Sequence, residues 1–317
     1  MGLTVILGGA GLIGSACVRH CQDQGLPFLA PSREECDASR YGSVESFLCD
    51  ARPERVIVAA GAVGGIIQNL KTPADYLFAN SQFASATLPA CQKAGVADVV
   101  FFGSSCMYPV DGPQPYKEEA ILSGPPEKTS MSYAVSKLLG VQACFAMNAQ
   151  YPTVRCVPVI PNSTYGPNDD FGGASSHVLS ALVGRFHEAK VAGAGVVTIW
   201  GSGTPKREFV YSDDVAAAVF HLLDTDTPRD RCVNIGTGEE VTILELARLV
   251  ATVVGFEGRI ELDVSKPDGA PRKLLDSAFL RETGWVPQVG LADGLRKTYD
   301  WYLDQKEGVC SKIKPTG

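Results

Sequence analysis

Thr4-Val-Ile-Leu-Gly8-Gly-Ala-Gly11-Leu-Ile-Gly14 is the stretch on which the fold turns. Thr4 to Leu7 is a short apolar run without polar alternation, the pattern of a strand covered on both faces. The glycines follow at once, and Leu12 to Gln24 continues with helical spacing. A glycine-rich turn between a strand and a helix lets backbone N–H groups approach a pyrophosphate at the helix N-terminus, where the helix dipole favours negative charge. Gly8, Gly11 and Gly14, with Leu12 and Ile13 at the helix opening, are therefore candidate cofactor-binding residues.

Working outward, the same alternation repeats. Pro27 to Ala30, Arg55 to Ala60, Asp98 to Phe102 and Val154 to Val159 read as strands. Tyr41 to Cys49, Pro73 to Lys93 and Ser132 to Gln150 read as helices, the second with Thr72 as N-cap and proline at its first position. Such β-α alternation predicts an α/β fold, a doubly wound parallel sheet with helices on both faces. After about residue 165 proline and glycine become frequent. Helices are expected over Ser176 to Ala189, Asp213 to Asp224 and Thr242 to Gly255, the last opened by the capping box Thr242-Ile-Leu-Glu245. Cys232 to Ile235 and Val196 to Trp200 are expected as strands that return to the main sheet. The division expected is a cofactor domain over 1–165 and a smaller substrate lobe over 166–317.

Composition narrows the function. The 317 residues carry 28 Lys+Arg against 35 Asp+Glu, a net charge of −7. That mild acidity argues against a nucleic-acid partner, which needs clustered basic charge. The longest apolar stretch, Val56 to Ile67, falls short of the roughly 20 residues a membrane helix needs. The opening Met-Gly-Leu-Thr lacks a basic segment and a cleavage site, so no signal peptide and a cytoplasmic location are expected. The 10 cysteines form no CxxC pair. Free thiols are expected, with no metal site.

The segment after the second strand selects the cofactor. An acid there binds a ribose 2′-hydroxyl, whereas an arginine accepts a 2′-phosphate. Pro31-Ser32-Arg33 offers no acid before Glu34, so NADP is expected, with Arg33 on the phosphate and Asp37 near the adenine. Tyr133-Ala-Val-Ser-Lys137 places a phenol and an ammonium on one helix face. The cation is expected to lower the phenol pKa from about 10 and make it a proton donor near neutrality. Tyr302 and Lys306 share that spacing but lie far from any strand end, and carry no such reading. Ser104-Ser105-Cys106 follows Val99-Val-Phe-Phe102, at the carboxyl end of a strand, where open α/β sheets bind ligands.

Together, the glycine turn, the serine after the fourth strand and the Tyr-x-x-x-Lys helix resemble the extended short-chain dehydrogenase/reductase family, which has a Rossmann-like fold. The resemblance narrows within it to the GDP-L-fucose synthases, which are GDP-4-keto-6-deoxymannose 3,5-epimerase/4-reductases. It is carried by Ala62-Val-Gly-Gly65, Phe101-Phe-Gly-Ser-Ser-Cys-Met-Tyr-Pro109, Tyr165-Gly-Pro-Asn-Asp169 and Ser175-Ser-His-Val178. Further along, Arg185-Phe-His-Glu-Ala-Lys190, Trp200-Gly-Ser-Gly-Thr-Pro-Lys-Arg-Glu-Phe209, Asn234-Ile-Gly-Thr-Gly238 and Ser265 to Asp276 extend it.

The resemblance implies Ser104, Cys106, Tyr133, Lys137 and His177 as the catalytic set. Cys106 and His177 exchange protons at the sugar carbons beside the ketone, and Tyr133 protonates the reduced carbonyl. Ala60, Tyr133, Lys137 and His177 join the glycine turn at the cofactor. Ser105, Ser163, Val178, Arg185, Trp200, Arg207 and Lys273 face the GDP-sugar. A homodimer through Pro73–Lys93 and Ser132–Gln150 is also implied. The chain departs from the family where Pro161-Asn162-Ser163-Thr164-Tyr165 puts serine at the usual asparagine position, and again at Ala59-Ala-Gly-Ala-Val63. A related GDP-hexose epimerase or reductase, acting toward a GDP-colitose or a deoxyheptose, is the alternative. A non-catalytic NADP-binding regulator is the alternative from another class, since fold alone does not fix function.

Overall fold

The computed structural model describes residues 2–308 except 173–175 and 267. Ser175 and Pro267 of the quoted motifs, and Cys310, lie outside the described residues.

The first half builds the sheet in the expected rhythm. It runs β1 (Thr4–Leu7), α1 (Leu12–Gln24), β2 (Phe28–Leu29), α2 (Tyr41–Ala51), β3 (Arg55–Val58), α3 (Ile66–Lys71), α4 (Pro73–Lys93), β4 (Asp98–Phe102), α5 (Met131–Gln150) and β5 (Arg155–Pro161). The second half continues β6 (Ser163–Tyr165), α6 (Val178–Val191), β7 (Val196–Trp200), β8 (Lys206–Arg207), β9 (Phe209–Tyr211), α7 (Ser212–Leu223), β10 (Val233–Ile235), β11 (Val241–Thr242), α8 (Ile243–Val254), β12 (Arg259–Asp263), β13 (Arg272–Lys273), α9 (Ala278–Glu282) and α10 (Leu291–Lys306).

The main sheet is six-stranded, in the order β10-β5-β4-β3-β1-β2, with every pairing parallel. The chain turns back on itself between β1 and β3, so a crevice opens beyond their carboxyl ends. The period of two along each strand sorts the core. Val5, Val56, Val99 and Cys156 lie in register and pack toward α2, α4 and α5. Ile6, Ile57, Val100 and Val157 are the next register row and pack toward α1 and α7. Burying each such aliphatic side chain contributes roughly 1.5–3 kcal/mol.

One strand expectation fails. Val196–Trp200 does not return to the main sheet but pairs in parallel with β12, Val196 opposite Arg259. Its alternate residues Val197 and Ile199 pack into a third core with Leu182, Phe186, Leu246 and Val250. That small lobe has its own sheet to complete, and β7 is consumed there. Val233–Ile235 does return, pairing with β5 at the sheet edge. The capping box forms as read: Thr242 Oγ1 accepts from Glu245 N–H, and Glu245 accepts from Thr242 N–H.

α5 is seated closely on β4. A Cβ at Gly140 would lie 2.2 Å from Phe101 Cζ, and that ring is buried. Glycine therefore sets the distance at which this helix carries Tyr133 and Lys137 over the strand end. Gly140→Ala is expected to push the helix outward and cost about 1–3 kcal/mol, the usual cost of overpacking. Thermal unfolding compared with wild type checks this.

Candidate active site

The glycine turn forms at the crevice. Gly8 has φ +88°, in the left-handed region, and its carbonyl accepts from Gly11 N–H at 3.1 Å. A Cβ on Gly8 would lie 2.6 Å from Ala60 N, and one on Gly14 would lie 2.1 Å from Gly8 O. The turn, the end of β3 and the first turn of α1 thus approach to a distance that only glycine permits. Gly11 caps α1 without any side-chain bond to its N–H groups. The backbone donors of Leu12 and Ile13 at that helix end suit a pyrophosphate, so these residues fit a dinucleotide. Arg33 beyond β2 is 85% exposed, with Nε 3.9 Å from Asp37 Oδ1. Asp37 caps its own turn, accepting from Ser39 N–H and Oγ–H, and those bonds hold its carboxyl below the usual range.

A second group gathers where β4 ends. Ser104 has extended backbone, and its Oγ accepts from Cys106 N–H at 3.2 Å, capping a 3-10 turn over Ser105–Met107. Tyr133, in the first turn of α5, is buried with its hydroxyl toward Ser104 and its ring edge-on to Tyr76 at 6.4 Å. Lys137, one turn on, is 5% exposed and donates to the Phe102 carbonyl at 3.0 Å. Burial brings its pKa down to about 8.

The expected lowering of the phenol is not what the structure holds. Burial pushes Tyr133 well up, the Cys106 charge and Tyr76 add to that, and the Ser104 hydrogen bond only opposes it. The ammonium sits 6.0 Å from the phenol ring centroid, engaged with the strand carbonyl. Sequence spacing gives a shared face, but not whether burial outweighs the cation.

Cys106 is half-buried, and its Sγ accepts from Lys273 Nζ at 3.3 Å. Burial pushes the thiol up. The Lys273 ammonium and the Ser104, Lys273 and Ser130 side chains outweigh it and bring the pKa below the ordinary value. Ser130 Oγ is buried without a hydrogen-bond partner of good geometry and faces this sulfur. Ser105, Cys106, Tyr116, Glu127, Arg272 and Lys273 line one pocket. Arg207 stands opposite Lys273 in the β8–β13 register. Burial lowers its pKa, against the pull of Glu127 and Cys106.

The remaining candidates are more dispersed. His177 is exposed at the N-cap of α6, and Val178 begins that helix, also exposed. Asp169 lies within electrostatic reach of His177, and its carboxylate accepts from Ser180 Oγ. Burial raises the Asp169 pKa, against the pull of Ser180 and His177. Arg185 donates to the Thr198 carbonyl at 2.9 Å, and Trp200 is 55% exposed with Lys266 Nζ 5.7 Å from its ring. Ser163 is half-buried and donates its N–H to Asn162 Oδ1. Asn162 itself turns inward, donating to Glu208 and to the Lys273 carbonyl.

Sequence reasoning missed several positioning residues. Asn80 on α4 is buried, accepts from Ala62 N–H at 3.1 Å and donates to the Ala62 carbonyl at 2.9 Å, fixing the loop beside Lys137. Ser130, Asp169 and Glu127 were also missed. Only Asp169 lay in a quoted motif, and none has a spacing signature.

This combination defines an extended dehydrogenase fold with a thiol added beside its Ser-Tyr-Lys group. The chain belongs to the NAD dependent epimerase/dehydratase family, whose profile matches residues 4–236. GDP-L-fucose synthase 1 of Arabidopsis thaliana is 46% identical over 308 residues, 97% of this chain and 94% of that one. GDP-L-fucose synthase of Escherichia coli (strain K12) is 40% identical over 311 residues, 95% of this chain and 97% of that one. The solved structure of MlghC, a GDP-mannoheptose C4 reductase from Campylobacter jejuni with NADP bound, superposes with a TM-score of 0.85. It is 30% identical, over 95% of this chain and 98% of that one.

The buried ammonium gives a test by pH. Lys137 is about 8 in the fold against about 10.4 unfolded. Below about 8 the fold bears a buried charge that the unfolded chain solvates. Between the two values the unfolded chain binds the extra proton, so this residue's contribution to stability rises with pH. Lys137→Met is expected to be more stable than wild type at pH 7, by about 1–3 kcal/mol, with the gap closing by pH 10. Denaturant midpoints of the two proteins across that range measure it.

Proposed function

We propose that this chain converts GDP-4-keto-6-deoxy-D-mannose to GDP-L-fucose by epimerisation at carbons 3 and 5 followed by NADPH-dependent reduction at carbon 4. The observation that carries the reading is the placement of Cys106 beside Ser104 and Tyr133 at one strand end. A simple ketone reductase needs the serine, the phenol and the lysine. A thiol held against a lysine ammonium adds a group able to exchange protons near neutrality. The identity of 46% to a GDP-L-fucose synthase, against 30% to the mannoheptose reductase, favours the fucose outcome over a heptose one.

The glycine turn, Ala60, Arg33 and Lys137 hold the cofactor, with Arg33 on the 2′-phosphate and Asp37 near the adenine. NADPH, when bound, supplies the hydride. Ser104 and Tyr133 hydrogen-bond the carbon 4 oxygen, where negative charge builds in both stages. The carbonyl acidifies the hydrogens at carbons 3 and 5, and Cys106 and His177 remove and return protons there. Tyr133 then gives its proton to the new alkoxide. A phenol whose pKa is raised by burial is a fully protonated donor for that step, and Lys137 balances the charge left behind. Arg185, Arg207 and Lys273 meet the diphosphate. Trp200, Val178, Ser105 and Ser163 line the nucleoside and sugar.

Two lobes divide this work: 1–165 with the returning β10 carries the cofactor, and 166–317 the GDP-sugar. The chain pairs with a second copy through the outer faces of α4 and α5, where Phe78, Val135 and Leu139 are exposed. A cytoplasmic location is supported by the described cysteines, all of them free thiols. No helix among the described residues is long and apolar enough to cross a membrane.

Two measurements test this. Tyr133→Phe is expected to lose NADPH oxidation by at least a hundredfold while still incorporating solvent deuterium into GDP-4-keto-6-deoxy-D-mannose. Reduction at the wild-type rate would refute the assignment. Leu139→Asp is expected to convert a dimer to a monomer in light scattering, and an unchanged mass would refute the pairing face.

A further inference from the structure

The Cys106 sulfur is surrounded by groups from five parts of the chain. Lys273 comes from β13 and Arg207 from the neighbouring β8. Ser104 comes from the end of β4, Tyr133 from α5, and Ser130 from the turn that precedes α5. Glu127, the acid lining this pocket among the described residues, is set against Arg207. Two cations and three hydroxyls therefore face the sulfur, against one carboxylate engaged with the second cation.

The lysine is held in place by its backbone. The Lys273 carbonyl accepts from Asn162 Nδ2 at 3.3 Å, and Leu275 N–H donates to Glu208 at 3.2 Å. Tyr116 N–H donates to the Leu274 carbonyl at 2.8 Å, and Gln114 contacts both Arg272 and Leu274. A strand of two residues gains this many anchors where its side chains must be aimed.

We propose that Lys273 is a positioning residue for Cys106, its ammonium keeping the sulfur as the thiolate in the resting pocket. The thiol proton leaves to solvent and the charge remains, balanced 3.3 Å away. The sulfur is thus a proton acceptor before the sugar arrives. This rests on the reading that Cys106 is one of the two proton-exchanging groups. It adds a role to a lysine that would otherwise serve only the diphosphate. Burial moves Cys17, Cys21, Cys36, Cys91, Cys144 and Cys232 the opposite way, to higher pKa, so Cys106 stands apart from them.

The experiment is iodoacetamide alkylation across pH 5.5–10, read peptide by peptide by mass spectrometry, on wild type, Lys273→Met and Lys273→Arg. The thiolate displaces iodide, so the rate follows the ionised fraction. In wild type the Cys106 midpoint should fall below the ordinary value of about 8.5. Lys273→Met should raise it by at least one pH unit and slow labelling several-fold at pH 7, the lost thiolate outweighing its higher nucleophilicity. Lys273→Arg should keep it low, and the exposed Cys49 peptide should be unchanged in all three. Equal Cys106 midpoints in wild type and Lys273→Met would overturn the proposal, as would an arginine variant that behaves like methionine. Should the methionine variant fail to fold, a wild-type midpoint at or above 8.5 overturns it and a lower midpoint preserved in Lys273→Arg supports it. The labelling needs no nucleotide sugar, so a protein that labels as expected but turns over no GDP-4-keto-6-deoxy-D-mannose would refute the function and leave the role of Lys273 standing.

Discussion

Six strands that all run the same way must all stop at the same edge, and the candidate chemistry of the main lobe gathers along it. Gly8 follows β1, Ala60 follows β3, and Ser104 follows β4. A mixed sheet would have scattered these ends over two edges. The parallel order is enforced by helices that cover both faces, and the two alternating rows of aliphatic side chains make each face equally apolar. The backbone donors of a helix N-terminus, a serine hydroxyl and a buried phenol meet there because the sheet leaves them one place to be.

The substrate side depends on a different device. Glu208 is fully buried and accepts from Gly238 N–H, Leu275 N–H and Asn162 Nδ2. One carboxylate thereby joins β8 to the ends of β5, β10 and β13. Burial raises its pKa and those donors oppose the rise, so its three bonds are what make an acid tolerable there. The consequence is that Arg207, next to Glu208 in sequence, and Lys273, two residues before Leu275, are aimed from a fixed platform. Side chains that grip a flexible diphosphate or steady a sulfur lose less entropy when their backbones are already clamped.

Much of this was legible in the sequence, for physical reasons that differ by element. β1, β3 and β4 are continuous apolar runs because both sheet faces are covered, and α8 announces itself by a reciprocal cap. The glycine turn and Ser104 lie just past strands, and Tyr133 and Lys137 share one helix face, placements that local sequence predicts. What escaped notice depends on tertiary neighbours. β7 reads equally well as a strand of either sheet, since its apolar alternation does not say which core receives it. The raised Tyr133 pKa escaped because spacing along a helix does not measure burial. Asn80, Ser130 and Glu127 are polar residues without a motif, visible only once the chain has brought them to Ala62, Cys106 and Arg207. The role of Lys273 toward Cys106 joins positions 167 residues apart, which no local pattern encodes.

That separation also sets an order in time. A ribosome adding about 5–20 residues per second releases Cys106 roughly 8–30 s before Lys273. On the assignment above, the nascent chain carries an ordinary protonated thiol through most of its synthesis. On that assignment the sulfur becomes a thiolate only when the late strand docks, so it is armed after most of the chain has been made.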